Sequence, residues 1–385
     1  MAPEPSIGTP GDEPGGVEAR IDLGALQRNV RRIREQLGER RLIAVVKADA
    51  YGLGLTRTVP HLEAAGVDAF AIATLEEAAS IRETGSLLPI LLLSPLPVGG
   101  ETRLPRLQVQ PTVSCAEDLE RFGNYGMRRG EVVEVQLKID TGMGRLGVWH
   151  AEAAALIAQA LDHDAIRLRG LFTHFSSADD DPGYTDLQSQ HFQRVLAQVR
   201  EDGFSLRGLW LHAENSAAWL AGGLPGELNA VRVGIIQQGV APANALEARL
   251  RPFEEVVQIR APIIAQTEHE GCHCAVVHAG YANGVPSRYA RHGSVLIEGE
   301  NCPIVGKIAA FTLRVRLPEA LAQRDLRGQS AVLLGESSRF PPDSNQPNQP
   351  TPRITVGDFA QRAGQRRWEV LCSLTPHARR IYVDP

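Results

Sequence analysis

The fold class is indicated first by the stretch Leu42-Ile-Ala-Val-Val-Lys-Ala-Asp-Ala-Tyr-Gly52, in which an apolar run stops abruptly at a lysine and a glycine-ended turn. Its five apolar residues, Leu42–Val46, are typical of a parallel strand buried on both faces. Seven further runs of this kind follow, with helix-like segments between them. They are Ala69–Ala73, Ile90–Leu93, Leu107–Val113, Val132–Leu137, Leu168–Phe172, Leu206–Leu211 and Leu228–Val233.

The helix-like segments show apolar residues at steps of three and four, which is the period of an amphipathic helix. They include Ile21–Gly38, Leu75–Thr84, Ala151–Leu161 and Asp186–Glu201. Eight strands alternating with helices predict an α/β fold, a parallel (β/α)₈ TIM barrel. A doubly wound open sheet is the alternative, because periodicity alone does not prove that the sheet closes.

The pattern of the sequence changes after Pro242, where β-like runs replace the alternation of strand-like and helix-like segments. We therefore predict a tail at residues 1–17, a barrel at 18–244 and a mostly-β domain at 245–385. An exposed, proline-rich loop is predicted at Phe340–Pro352. The β-like runs are Val256–Ile264, Cys274–His278, Gly293–Ile297, Ile304–Val315 and Ser330–Leu334.

Composition excludes several classes of protein. The 385 residues carry a formal net charge of −5, so bulk charge does not favour a nucleic-acid partner. No apolar run approaches the roughly 20 residues of a membrane span, and the first seventeen residues lack the features of a signal peptide, which indicates a cytoplasmic protein. Cys272-His-Cys274 has a spacing too tight for a typical zinc pair, so we expect a buried strand there and no metal.

Ionisable residues follow several of the predicted strands, and barrel enzymes keep their chemistry at these carboxyl ends. A lysine at Lys47 is partly desolvated, which suits a Schiff-base former, although a lysine reaching out to solvent is the alternative. Arg145 lies in a glycine-rich loop after the fifth run, and His174 and Arg232 lie at or near the ends of the sixth and eighth. Their convergence on one barrel face predicts an active site.

Five motifs of the barrel and two of the second domain resemble the alanine racemases, in that family's order and from about residue 19 to 383. The resemblance implies a pyridoxal-phosphate enzyme with a barrel and a C-terminal β-domain. The motifs are Ala44-Val-Val-Lys-Ala-Asp-Ala-Tyr-Gly52, Lys138-Ile-Asp-Thr-Gly-Met-Gly-Arg-Leu-Gly147, Gly170-Leu-Phe-Thr-His-Phe175, Asn215-Ser-Ala-Ala218, Val231-Arg-Val-Gly-Ile235, Gly280-Tyr-Ala-Asn-Gly284 and Pro303-Ile-Val-Gly306.

The resemblance implies a role for each matching residue. Lys47 would carry the cofactor and act as one base, while Tyr281, reaching the site from the partner of a homodimer, would be the second. Racemisation needs two such groups on opposite faces of the substrate. Arg232 would face the pyridine nitrogen, and His174 would sit between Arg232 and Tyr281.

Further residues are implied to hold the cofactor and the substrate. Arg145 would pair with the substrate carboxylate, and Lys138 matches a position that is carbamylated in some members. The alternative for Lys138 is an unmodified lysine. The remaining cofactor-binding residues implied by the resemblance are Tyr51, Asn215, Ser216, Gly234 and Ile235.

One departure from the family pattern concerns the substrate pocket. Ala310 and Phe311 stand where a Met-Asp pair is usual, so we expect a wider pocket and weak discrimination in favour of alanine. Two other functions stay open on the sequence. A decarboxylase of this architecture would usually set a glutamate, not Arg232, against the pyridine nitrogen. A non-catalytic cofactor carrier would usually lack the β-domain and Tyr281.

Overall fold

A computed structural model describes residues 16–224, 226–337 and 351–385. Nearly all of the predicted tail at 1–17 and most of the predicted loop at Phe340–Pro352 lie outside these residues. The described chain divides into two units. We call residues 26–50 and 54–253 the barrel unit, and residues 16–25, 51–53 and 254–385, as far as they are described, the β unit.

The strands of the described residues range in length from two residues, as in Val109–Gln110, to thirteen, in Val257–His269. In chain order they are β1 (Glu18–Asp22), β2 (Arg41–Val45), β3 (Ala69–Ile72), β4 (Ile90–Leu92), β5 (Val109–Gln110), β6 (Thr112–Val113), β7 (Val133–Asp140), β8 (Val148–Trp149), β9 (Ile166–Phe172), β10 (Trp210–His212), β11 (Ala230–Val233), β12 (Val257–His269), β13 (Cys272–Val277), β14 (Ser294–Ile297), β15 (Glu300–Pro303), β16 (Leu313–Arg316), β17 (Ser330–Glu336), β18 (Arg353–Ile354) and β19 (Arg379–Val383).

The right-handed helices alternate with the parallel strands of the barrel and recur near the end of the chain. They are α1 (Leu23–Leu37), α2 (Leu55–Ala64), α3 (Leu75–Glu83), α4 (Leu104–Leu107), α5 (Ala116–Arg129), α6 (Ala153–Asp162), α7 (Pro182–Glu201), α8 (Ser216–Leu220), α9 (Glu319–Ala322), α10 (Val356–Ala363) and α11 (Arg367–Leu374).

The last strand of the barrel unit pairs with the first. In β11, Arg232 lies opposite Ile43 of β2, and both strands run in the same direction. Asn229 joins β11 to β10, because its side-chain oxygen accepts from Leu211 N at 2.9 Å and its N–H donates to Leu211 O at 3.1 Å. The sheet is therefore closed. The predicted barrel is confirmed, and the open doubly wound sheet is wrong.

One predicted strand is broken in two. The run Leu107–Val113 contains Pro111, which has no N–H to contribute to a ladder. Its two halves, β5 and β6, pair with different neighbours, β4 and β7. The carbonyl of Pro111 still accepts from Gln136 N at 3.0 Å, so the barrel continues across the break.

The β unit is built around a mixed sheet in the order β15-β14-β17-β12-β1-β19. Strand β1 is antiparallel to β12 and parallel to β19, so residues 18–22 belong to this sheet and not to the barrel. By its contacts, the barrel unit extends to Phe253. Apolar alternation along β1 explains its place in this sheet, since Ala19 and Ile21 face the core while Arg20 is exposed.

Two expectations for the β unit need correction. Residues 304–312 lie outside the strands, since Gly306 has a φ of +75° and the chain turns there. Of the run Ile304–Val315, only residues 313–315 belong to a strand, β16. Helices α10 and α11 were not expected in a region with few helix signals. Cys272 and Cys274 do lie on a strand, β13, and Cys274 is buried.

Candidate active site

Five of the predicted site residues lie where the chain leaves the barrel strands. Lys47 follows β2, Lys138 is near the end of β7, and His174 follows β9. Ser216 lies beyond β10, and Arg232 is inside β11 one residue before it ends. Because parallel strands share a direction, these positions fall on the carboxyl end of the barrel.

The chain immediately after Lys47 makes a left-handed helical turn. Residues Ala48 to Tyr51 all have φ between 55° and 56°, a conformation that costs L-residues roughly 1–2 kcal/mol each. Polar contacts hold this turn, with Ala48 N donating to Glu77 Oε1 at 2.6 Å and Gln238 Nε2 donating to the carbonyl of Ala50 at 3.0 Å. The strained turn fixes the direction in which Lys47 leaves the strand.

His174 marks the place where the positive charges of the barrel meet. Loss of hydration lowers the pKa of His174 well below its ordinary value, and four cations lower it further. In decreasing order of effect these cations are Arg232, Arg145, Lys138 and Lys47. His174 is therefore neutral at physiological pH, and the cluster of four cations can bind anionic groups.

Arg232 is buried, with 3% of its surface exposed, and backbone oxygens hold its guanidinium. Nη2 donates to the carbonyls of Thr173 at 2.7 Å and Ala213 at 3.1 Å, while Nη1 donates to the carbonyl of His212 at 2.9 Å. Burial lowers the pKa of Arg232 to about 10, and Glu214 opposes the shift. The guanidinium is thus charged at neutral pH and rigidly oriented.

Lys138 lies beside the same aromatic ring as Arg232. Its Nζ is 5.9 Å from the centroid of Phe172, and Cζ of Arg232 is 5.4 Å from that centroid. Burial, followed by the charges of Arg145 and Arg232, lowers the pKa of Lys138 to about 8. A substantial fraction of this amine is therefore uncharged slightly above neutral pH.

A hydroxyl and a backbone amide lie together next to the cations. Ser216 Oγ accepts from Gly234 N at 3.0 Å, and its own proton can be donated to an anionic oxygen. Asn215 has a structural contact, because its Oδ1 accepts from Ala217 N and Ala218 N at 3.0 Å each and so caps α8. Ile235 follows at the start of a 3₁₀ turn and is buried.

Arg145 lies on an exposed loop whose base is fixed. The carboxylate of Asp140 accepts from Gly142 N and Gly144 N, each at 2.9 Å. Tyr184 Oη donates to the carbonyl of Gly142 at 2.7 Å. The loop is therefore anchored at Gly142 and Gly144, immediately before Arg145.

In the β unit, the predicted second base and the predicted pocket residue belong to one local structure. Tyr281 N donates to the carbonyl of Ala309 at 3.0 Å, and Ala282 N donates to that of Ala310 at 2.9 Å. A Cβ on Gly280 would lie 2.3 Å from both carbonyl oxygens, which only glycine avoids. The side chain of Tyr281 is 57% exposed.

Two buried groups at the end of the seventh predicted run, to which no specific role was assigned from the sequence, act on Arg232. His212 Nδ1 accepts from Arg232 Nη1 at 2.7 Å, and His212 Nε2 lies 3.2 Å from Gln136 Oε1. Glu214 is fully buried and pairs with Arg40. The available signal was a polar residue inside an apolar run, since Gln136 interrupts Val132–Leu137.

The fold and the site define a (β/α)₈-barrel enzyme with a C-terminal β-domain and a lysine among clustered cations. Residues 21–242 match the family model "Alanine racemase, N-terminal domain", and residues 264–382 match "Alanine racemase, C-terminal domain". The chain belongs to the alanine racemase family. The predicted function, an amino-acid racemase and therefore an isomerase, is confirmed at the level of this family.

Relatives and solved structures agree with this assignment. The alanine racemase of Mycobacterium tuberculosis is 34% identical over 95% of each chain, and that of Synechocystis is 33% identical over 94% of this chain and 98% of the relative. The alanine racemase structure from Streptomyces lavendulae has a TM-score of 0.83 at 28% identity and covers 97% of this chain and 98% of that one. No helix among the described residues is long and apolar enough to cross a bilayer.

The chain contains three lysines, Lys47, Lys138 and Lys307, which makes the pKa of Lys138 directly measurable. We expect protein grown on lysine labelled with ¹³C at the ε-carbon to show one signal that titrates near pH 8, below the ordinary 10.5. Lys138→Met should remove that signal and leave the other two. If every lysine titrates near the ordinary value, the desolvation of Lys138 is refuted.

Proposed function

We propose that this chain is a pyridoxal-phosphate-dependent racemase that interconverts L- and D-alanine or a related amino acid by a two-base mechanism. One observation carries the proposal, namely that Lys47 and three further cations lie within electrostatic reach of His174 at the carboxyl end of the barrel. An amino-acid substrate supplies a carboxylate and the cofactor supplies a phosphate. Both anions suit a cluster of this charge.

The polar groups around Ser216 fit the cofactor. Ser216 and the amides of Gly234 and Ile235 would bind the phosphate, with Tyr51 and Asn215 as further predicted contacts. Gly234 N donates to Ser216 Oγ at 3.0 Å and so orients this hydroxyl, whose own proton can be donated to a phosphate oxygen. Bound here, the cofactor supplies an electron sink that makes the α-proton of an amino acid acidic.

Arg232 would donate to the pyridine nitrogen and leave the ring without an added proton. Its guanidinium is suited to this role, because the backbone oxygens of Thr173, His212 and Ala213 hold it and its pKa of about 10 keeps it charged. A ring without the extra proton is a weaker electron sink, which favours prompt return of the proton over side reactions.

Two groups would move the α-proton. Lys47 Nζ would accept it on one face of the substrate, and Tyr281 Oη would deliver one on the other, with the roles exchanged in the reverse direction. His174, neutral because of its surroundings, would tune the tyrosine. Inversion requires that the two groups act on opposite faces.

Arg145 would pair with the substrate carboxylate. Lys138, with a pKa of about 8, has the uncharged amine that can add to carbon dioxide with release of one proton. The resulting carbamate would place a negative charge beside Arg145 and orient it. An unmodified Lys138 would instead leave Arg145 to be oriented by its loop alone.

The active enzyme would be a cytoplasmic homodimer. In the β unit the aromatic residues Tyr281 and Phe311 are 57% and 52% exposed. The carbonyl of Ala310, next to Phe311, accepts from Ala282 N, next to Tyr281. Burial of large apolar surfaces is the usual driving force of association. A second copy of the chain would cover them and receive Tyr281 at its site.

A decarboxylase is disfavoured by the partners of the buried carboxylate near Arg232. Glu214 is occupied by Arg40 and by Leu224 N, which donates to Oε1 at 2.8 Å. A pyridine nitrogen in this site would therefore meet the Arg232 guanidinium and not a glutamate. A carrier without activity is disfavoured by the match of the C-terminal family model, which includes Tyr281.

Cofactor attachment tests the central role of Lys47. We expect borohydride to fix the cofactor covalently to one peptide that contains Lys47, because this lysine follows the strand directly and adjoins the cation cluster. Lys307→Arg is the matched control and should label normally. Labelling of the Lys138 or Lys307 peptide instead would contradict the assignment.

Replacement of Tyr281 by phenylalanine tests the second base. We expect cofactor binding to persist while racemisation falls by about 10²–10⁴, the usual contribution of a positioned acid–base group. Tyr289→Phe is the control, because the Tyr289 hydroxyl donates to the carbonyl of Ser294 inside the β unit. Equal racemisation rates in Tyr281→Phe and the control would show that Tyr281 is not the base.

Chiral chromatography after incubation with both enantiomers of several amino acids tests substrate range and the alternative functions. We expect weak alanine activity, with serine or a longer amino acid handled comparably or better. Ala310→Met should shift kcat/KM toward alanine by about 10-fold or more, since one or two methylenes are worth roughly 1–3 kcal/mol. A hundredfold or greater preference of the unaltered enzyme for alanine would contradict the wide pocket. Release of an amine would indicate the decarboxylase.

A further inference from the structure

A continuous series of hydrogen bonds runs from Arg232 through the interior of the barrel to its opposite end. Arg232 Nη1 lies 2.7 Å from His212 Nδ1, and His212 Nε2 lies 3.2 Å from Gln136 Oε1. Gln136 Nε2 then donates to Gln110 Oε1 at 2.7 Å, and Gln110 Nε2 donates to Glu134 Oε2 at 3.3 Å. We call these five residues the polar chain.

The chemistry of its two ends gives the polar chain a direction. A guanidinium can only donate, so in the observed 2.7 Å contact His212 Nδ1 accepts from Arg232 and the ring proton sits on Nε2. An ionised carboxylate can only accept, so Gln110 must present its NH₂ group to Glu134. Each amide between these ends then accepts on one side and donates on the other.

The barrel interior is shaped to admit the polar chain. His212 is fully buried, and Gln136 and Gln110 are 1% and 7% exposed. A Cβ on Gly170 would lie 2.3 Å from Gln136 Oε1, the atom that accepts from His212. Glycine at this position leaves room for the glutamine side chain and its bond.

The far end of the polar chain stays ionised. Glu134 Oε1 pairs with Arg169 at 2.5 Å and Arg167 at 3.6 Å. Burial raises the pKa of Glu134, but the bond and charge of Arg169, with the charge of Arg167, outweigh it and hold the pKa below its ordinary value. Glu134 and Gln110 also line a cavity of about 420 Å³.

We propose that Gln136, Gln110 and Glu134 are positioning residues that hold His212 in its neutral Nε2–H tautomer and thereby fix the plane of Arg232. In the other tautomer two N–H donors would face each other across 2.7 Å, and the guanidinium would have to turn away from His212. The catalytic consequence rests on the proposed contact of Arg232 with the pyridine ring. The assignment of the His212 tautomer does not depend on that contact.

The test reads the His212 ring directly, by ¹⁵N NMR of the holoenzyme labelled in histidine, with kcat and KM measured in parallel. In the unaltered enzyme we expect His212 to show one protonated and one unprotonated ring nitrogen. In Gln136→Met both signals should move toward the average of two tautomers. We expect kcat to fall about tenfold with little change in KM, the equivalent of one buried donor left without a partner.

Two further variants make the result decisive. Glu134 is partly exposed, and in Glu134→Gln the polar chain ends in an amide that both donates and accepts. The His212 signals should therefore move in the same direction as in Gln136→Met, but by less. Thr112→Val is the control. Thr112 pairs with Gln136 in the sheet but lies outside the polar chain, and the substitution removes the buried hydrogen bond that its hydroxyl donates to the Leu92 carbonyl. It should leave the signals in place.

Unchanged His212 signals in Gln136→Met overturn the proposal, as do shifts no larger than those of Thr112→Val. If Gln136→Met does not fold, unchanged signals in Glu134→Gln overturn it. An unaltered enzyme with the expected ring signals but without racemase activity would refute the proposed function and leave the polar chain standing. Each failure therefore has its own signature.

Discussion

Burial of the charged Arg232 guanidinium is the constraint on which the barrel end depends. A cation removed from water is stable only when other groups replace its hydration shell. Three backbone carbonyls and the ring of His212 do so here. Because these oxygens come from the ends of β9 and β10, the charge can be held only when β10 lies beside β11 and β9 lies on the other side of β10 in the closed barrel. The arrangement that closes the sheet also solvates the charge.

The same constraint makes the other cations useful. Lys47, Lys138 and Arg145 gather around a neutral histidine, where like charges repel and burial weakens hydration. Such a site is incomplete without anions, and the repulsion that destabilises it when empty becomes attraction when a phosphate or a carboxylate enters. Glu214 acts on Arg232 but is also paired with Arg40, so it offsets the charge of the cluster only in part. The cation cluster therefore keeps a net positive charge that can attract anionic ligands.

Much of this could be predicted from the sequence because strand ends leave a clear signal. An apolar run that stops before Lys47, or one that contains Arg232 just before its end, indicates both the strand and the candidate site, and the structure places these residues at the same barrel end. The polar chain leaves a weaker signal. Gln136 interrupts an apolar run, but its partner Gln110 lies 26 residues away, and the contact depends on strand order and register. The turn at residues 304–312 was missed for a similar reason: its carbonyls are held by Tyr281 and Ala282, far away in the chain.

The left-handed turn after Lys47 has a consequence for the order of folding. Four successive residues with positive φ are unfavourable in an isolated segment, so tertiary contacts must hold them. One contact comes from Gln238, 188 positions further along the chain than Ala50. During synthesis the lysine therefore emerges long before the group that fixes its turn. The turn that directs Lys47 out of its strand is therefore fully held only after the last strand of the barrel has been made.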